Sequence, residues 1–136
     1  MQKECYYKLK KVDYYKEVLL EVPLLSRCID MVLITQDNKV VSVEFKLNQW
    51  RDAIKQAQDH KLGADESYIC LPKRKITDKL RGELIDNGIG LFLYNPELDN
   101  PLEMIIPAKY SEARWQPIVK GFKKTINMIA ERDIII

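Results

Sequence analysis

Cys28-Ile-Asp-Met-Val-Leu-Ile-Thr35, then Gln36-Asp37-Asn38, then Lys39-Val-Val-Ser-Val-Glu-Phe-Lys46 is the stretch on which the fold turns. Two runs rich in Val, Ile and Leu flank a short polar segment, the pattern of a β-hairpin. Asn38 suits the loop, because Asn tolerates the left-handed backbone that tight turns need. If Gln36, Asp37 and Asn38 all lie in the loop, Thr35 pairs with Lys39, and the same register sets Asp30 opposite Glu44. A two-residue loop at Asp37-Asn38 turns Asp30 to the other face of the sheet. Glu44 and Lys46 are two apart on one strand and share a face. The second register splits the three charges and leaves some of them buried without partners, a heavy penalty. The first register is therefore the expected one.

The elements on either side follow from the same reading. Residues 2–14 mix Tyr6, Tyr7, Leu9 and Val12 with lysines, as a short opening helix does, and Glu17 to Leu25 is a further apolar strand. Pro23 suits the edge of a sheet. From Leu47 to Leu62 the period changes: Trp50, Ala53, Ile54, Ala57 and Leu62 fall at helical spacing, and Gln49, Asp52, Gln56 and Asp59 form a polar stripe beside them. Ser67 to Leu71 reads as a fourth strand, Ile76 to Asn87 as a helix stopped by Gly88, and Ile89 to Tyr94 as a fifth strand. Met104 to Ile106 is a shorter apolar piece, and a final helix runs from Ser111 to about Arg132. Consecutive strands followed by strand–helix alternation predict a mixed sheet flanked by helices, in the α/β (α+β) class. Nothing marks a linker or a repeat, so residues 1–136 are expected to form a single domain.

Composition bounds the partners. The chain has 136 residues, of which 46% are hydrophobic and 31% charged, which is globular and not fibrous or disordered. No apolar run reaches the roughly 18 residues of a membrane span, and the start lacks the apolar stretch of a signal peptide. Cys5, Cys28 and Cys70 form no CxxC pair; the expectation is a reducing, cytoplasmic setting, with Cys28 and Cys70 in the core. A net charge of +2 is too small to demand a polyanion. Basic residues nevertheless gather at Lys73, Arg74, Lys75, Lys79 and Arg81, and again between Lys109 and Arg132. Such runs contact phosphates or simply solvate a helix face. His60 is the sole histidine, which excludes multi-histidine metal sites, and it reads as a partly exposed helix residue. Asn87-Gly-Ile-Gly90 is a helix stop before a strand and not a phosphate loop.

Asp30, Glu44 and Lys46 on one patch of sheet form a chemical kit. Carboxylate oxygens of this kind hold Mg²⁺ or Mn²⁺, with waters and a phosphate completing the shell. Such a metal polarises a phosphoryl oxygen and acidifies a bound water, and a lysine beside it positions that water or stabilises transition-state charge. The rival reading is a charge-balanced cluster that only neutralises itself.

Asp30, then Glu44-Phe45-Lys46 on the next strand, then a helix with Gln56, then Ser67-Tyr-Ile-Cys-Leu-Pro72 resembles the PD-(D/E)XK nuclease superfamily, the restriction-endonuclease-like fold, and in particular its small bacterial members. The resemblance spans about residues 15–95, with Ile29 standing where the literal motif has proline. It implies that Asp30, Glu44 and the backbone carbonyl of Phe45 are metal ligands. It also implies that Lys46 acts on the attacking water and that Gln56 lines the site from the helix. An acid on the first helix or first strand is common in the family; Glu21 and Glu4 are the candidates. A register with Glu21 opposite Asp30 needs a tight turn at Leu25-Ser26, which is poor turn chemistry.

The function so implied is a Mg²⁺-dependent nuclease hydrolysing phosphodiester bonds, in DNA, with Lys73, Arg74, Lys75, Lys79 and Arg81 holding the backbone. Two alternatives stand beside it. One is a nucleic-acid-binding or regulatory module of the same fold without useful catalysis, acting as a homodimer or with a fused or separate partner chain. The other is an interaction protein with a structural ion cluster, for which the apolar Ile134-Ile-Ile136 offers a docking or subunit contact.

Overall fold

Asn38 adopts φ 66° and its N–H donates to the carbonyl of Thr35 (2.9 Å), while the Thr35 N–H reaches the carbonyl of Lys39 (3.0 Å). The three-residue loop thus closes in the expected register. It joins strands that the computed structural model, which describes residues 1–112 and 114–135 (133–135 by backbone alone), defines as β2 (Arg27–Ile34) and β3 (Val40–Phe45). Before them come α1 (Gln2–Lys10) and β1 (Glu17–Leu24). After them come α2 (Trp50–His60), β4 (Glu66–Pro72), α3 (Asp78–Asn87), β5 (Gly90–Tyr94), β6 (Leu102–Ile106) and α4 (Gln116–Ile135). The Ile134–Ile136 triplet lies outside the described side chains.

One six-stranded sheet runs β1-β2-β3-β4-β5-β6. The first three strands are an antiparallel meander; β3, β4 and β5 are parallel through crossovers carrying α2 and α3; β6 returns antiparallel to β5. The apolar piece ending at Ile106 is therefore a full edge strand. This is a mixed α+β fold, consistent with the restriction-endonuclease-like arrangement.

Side-chain alternation sorts the core into two layers. Val41, Val43, Phe45, Tyr68, Cys70 and Phe92 face α1, which buries Cys5 and Leu9 at i, i+4 against them. The intervening residues Ile69, Leu71, Leu91 and Leu93 face Ala53, Ile54 and Ala57 of α2 and Leu80 and Leu84 of α3. Further along that side, Phe122 and Ile126 of α4 cover Leu19, Val22, Leu24 and Ile29. Thr77 caps α3, its hydroxyl accepting from the Leu80 N–H at 3.2 Å, and Gly88 ends it at φ 68°. Gly90 lies under the Tyr68 ring: a Cβ there would sit 2.2 Å from the ring.

The β5–β6 pairing shifts register at Leu91/Phe92, and alternation also breaks between β1 and β2. Val22 and Leu24 share a cluster with Leu19, and Ile29 joins them while Met31 and Leu33 face the other layer. Both strands change parity between Leu20↔Met31 and Val22↔Ile29, where the ladder skips Glu21 and Asp30. Glu21 takes φ 50° there, and the register is the same on both sides of it, so the break is a kink with no residue inserted in either strand. Beyond this kink the hairpin tip closes through Leu25-Ser26, with Leu25 at φ 58° and exposed. The turn judged poor from residue types is the one adopted, at the expense of leucine in a left-handed conformation. Cys28 belongs to this projecting tip and is exposed, correcting its expected burial.

A glycine suits the first position of such a loop, and leucine there is strained by about 1–2 kcal/mol. Leu25→Gly should raise stability by roughly 1 kcal/mol after the entropy of glycine is counted, read as a higher urea midpoint at unchanged m.

Candidate active site

The kink controls what Asp30 does. Its main chain drops out of the β1 ladder, so its groups turn elsewhere: the Asp30 N–H donates to Oε1 of Glu44 (3.2 Å), and its carbonyl accepts from the Gln2 side chain (2.8 Å). In return the Phe45 N–H donates to Oδ2 of Asp30 (2.9 Å). The β2–β3 ladder stops at Met31↔Val43, and past it the two carboxylates stand in for main-chain pairing. The strands therefore fork with an acid from each in the opening. On the far side β3 stays zipped to β4, the Lys46 N–H donating to the Cys70 carbonyl at 3.1 Å.

Asp30 and Glu44 thus meet as the register requires, and Lys46 adds its charge: its ammonium pulls the Glu44 carboxyl down, though it is outweighed. Burial first, and the charge of Asp30 second, push Glu44 up to about 7. Glu44 is 3% exposed. Its neighbour across the cleft is His60, whose Nε2 is 3.8 Å from Glu44 Oε1. His60 is 5% exposed, not partly exposed as expected, and burial pushes it down to about 4 against the pull of Asp59. With Glu44 raised and His60 lowered, the contact near neutral pH is not an ion pair. The sequence carried a signal for His60. It lies three and seven residues after Ala57 and Ala53, on the buried stripe of α2.

Gln56 is half-buried one turn before His60, and both line a small cavity against the β1–β2 turn. Trp50 packs partly buried on the α2 core, and the guanidinium of Arg51 lies 4.3 Å from its ring centre. Glu21 stands opposite Asp30 in register yet is exposed, and Glu4 is paired with the N-terminal ammonium at 2.8 Å, so neither joins the cluster. Among the described residues no three His, Cys, Asp or Glu side chains are grouped to hold a metal ion. Lys73, Arg74 and Lys75 are exposed in the β4–α3 loop. Because β3 and β4 run parallel, that loop leaves the sheet at the same end as Lys46. Lys79 and Arg81 are exposed on α3. Asp65 is a structural node: it accepts from the Val40 N–H (2.7 Å) and pairs with Arg114 (2.5 Å).

The donor set fits a hard divalent cation. Two carboxylates share one opening, and each keeps an oxygen outside the hydrogen bonds described. Burial raises Glu44 most, and the repulsion from Asp30 that adds to it is what a cation relieves. The Phe45 N–H points at Asp30, and in extended backbone the carbonyl of a residue points to the same neighbour, so a third oxygen faces the fork. Two carboxylates and a carbonyl suit Mg²⁺, which keeps several waters.

No family model matches the chain, and no curated protein does. Among solved structures it is similar to a protein of unknown function from Silicibacter pomeroyi, at 15% identity over 86% of this chain and 75% of that one, with a TM-score of 0.57. A repair endonuclease from Pyrococcus abyssi aligns at 15% identity over 58% of this chain and 38% of that one, with a TM-score of 0.42. The first is a likeness of fold. Among the described residues no helix is long and apolar enough to cross a membrane.

The two titrations act on metal-free stability with opposite signs. Glu44 in the folded chain holds its proton to about 7 against an ordinary 4.5, so ionising it lowers stability as pH rises through that window. His60 stays neutral down to about 4 against an ordinary 6.5, so its contribution grows as pH rises from 4 to 6.5. Glu44→Gln should therefore gain on wild type steadily from about pH 4.5 to 7. His60→Gln should lose ground to wild type between about pH 4 and 6.5. Urea midpoints in EDTA across this range check both.

Proposed function

We propose that this chain is a Mg²⁺-dependent nuclease that hydrolyses phosphodiester bonds, with DNA as its substrate. The observation that carries the reading is the fork itself: Asp30 and Glu44 opposite each other, with Lys46 next on the strand that presents Glu44. Asp30, Glu44 and the Phe45 carbonyl would hold the cation, which when bound supplies Lewis acidity at the phosphate and an acidified water. Lys46 orients that water and offsets charge that develops on the phosphoryl oxygens. Lys73, Arg74 and Lys75 hold the flanking phosphates from the same end of the sheet. The +2 net charge makes this local clustering, and not the overall field, the source of affinity.

Cleavage of a panel of supercoiled plasmid, linear duplex, single strand, branched DNA and RNA with Mg²⁺ or Mn²⁺ tests the reading. Cutting should require metal and vanish with Glu44→Ala, and Lys46→Met should lower the rate about 10²–10³-fold. A wild type that neither cuts nor binds metal overturns it. One observation favours a second reading: no third acid joins the pair among the described residues. A nucleic-acid-binding module without catalysis would bind DNA equally well with Glu44→Ala and cut nothing. In either case, replacing Lys73, Arg74 and Lys75 together by alanine should flatten the dependence of log K on log salt. The slope should change by up to about 3.

A further inference from the structure

Two buried polar atoms on α2 have no partner. His60 Nδ1 and Gln56 Oε1 are sealed from solvent and make no hydrogen bond among the described residues. Their side chains, one helical turn apart on α2, line a cavity of about 100 Å³ whose other wall is Leu24, Ser26 and Arg27 of the hairpin tip. A buried, unsatisfied polar atom is destabilising, and in folded proteins such atoms are as a rule paired with protein or with an ordered water. The space is ample for one, since a water needs only about 10–15 Å³ measured this way.

We propose that His60 is a positioning residue for Glu44, held in place by an ordered water that bridges its Nδ1 and Gln56 Oε1. This rests on the reading of Glu44 as a metal ligand. Glu44 sets the tautomer. As a metal-binding carboxylate it only accepts, so the imidazole proton sits on Nε2, facing Glu44 Oε1 across 3.8 Å, and Nδ1 is left an acceptor; the water then spends its two protons on Nδ1 and Gln56 Oε1. A small turn of either side chain closes that gap to a hydrogen bond. Oε1 is then held by two donors, the Asp30 N–H and His60 Nε2–H, and the other carboxylate oxygen is aimed at the cation. Partners of this kind typically change metal affinity or activity by about 10–100-fold.

The test is a calorimetric Mn²⁺ titration at one pH on wild type, His60→Leu, His60→Gln and Gln56→Leu, beside urea unfolding in EDTA. His60→Leu should weaken Mn²⁺ binding by about 10–100-fold. His60→Gln, which returns an N–H near Nε2, should recover most of it. Gln56→Leu should show a smaller loss in the same direction. A merely structural histidine would shift the unfolding midpoint and leave Mn²⁺ affinity unchanged. The proposal is overturned, with the nuclease reading intact, if His60→Leu binds as tightly as wild type or if His60→Gln is as weak as His60→Leu. If His60→Leu does not fold, unchanged affinity in Gln56→Leu overturns it. A wild type that binds no Mn²⁺ removes both readings together.

Discussion

The exchange of hydrogen bonds between Asp30 and the Glu44-Phe45 segment is the constraint from which the rest follows. It ends a β-ladder with side chains where main chain would continue. Each carboxylate accepts an N–H from the opposite strand, at 3.2 and 2.9 Å, so the fork is a closed hydrogen-bonded unit and not a frayed end. That arrangement needs Asp30 to be free of β1. The kink supplies this freedom: with Glu21 at positive φ the Glu21–Asp30 pair drops out of the ladder, and both strands reverse their facing. A regular β1–β2 ladder would tie up the Asp30 N–H and leave Glu44 with one donor fewer in a buried position.

Stability and site pull against each other here. Glu44 is buried beside a second acid, with its charge held off until about 7, and His60 is buried with its own charge suppressed. A core built for stability alone would place apolar groups at both positions. Further out, Leu25 holds a left-handed turn without gaining burial, although the tip it closes forms one wall of the cavity beside His60 and Gln56. The tip thus brings a strained leucine next to two unsatisfied polar atoms, His60 Nδ1 and Gln56 Oε1, while Ser42, Ser67 and Arg114 leave others unpartnered elsewhere in the fold.

Much of this was legible from residue types. The loop at Gln36-Asp37-Asn38 could be counted, and counting fixed which side chains meet across β2 and β3. The helices on α2 and α3 and the stop at Gly88 followed from period and capping chemistry. The shape of the β1–β2 tip escaped because it depends on one event, the kink at Glu21. Strict alternation could not foresee a residue of ordinary type adopting positive φ, nor a leucine closing a two-residue turn, so the register that sets Glu21 opposite Asp30 looked unfavourable. The exposure of Cys28 has the same origin, since it rides on the tip beyond the kink. His60 departs from its expected partial exposure for a different reason: its spacing from Ala53 and Ala57 places it on the buried side of the helix, although the imidazole is polar.

The parallel part of the sheet explains why the candidate site residues gather at one end of it. Crossover helices return each parallel strand to the same starting edge, so β3 and β4 both deliver their following loops to the opposite edge. Lys46 and the Lys73–Lys75 loop are therefore neighbours by topology, whatever their side chains do. The antiparallel β2 enters from that edge and brings Asp30 to within one fork of Lys46. Three connections that are far apart in sequence converge there: a hairpin tip, a strand-to-helix loop and a second strand-to-helix loop. A chain of low net charge thus brings several of its cations to the same end of the sheet as the two acids by topology, where an all-antiparallel sheet with hairpins at both ends would divide them.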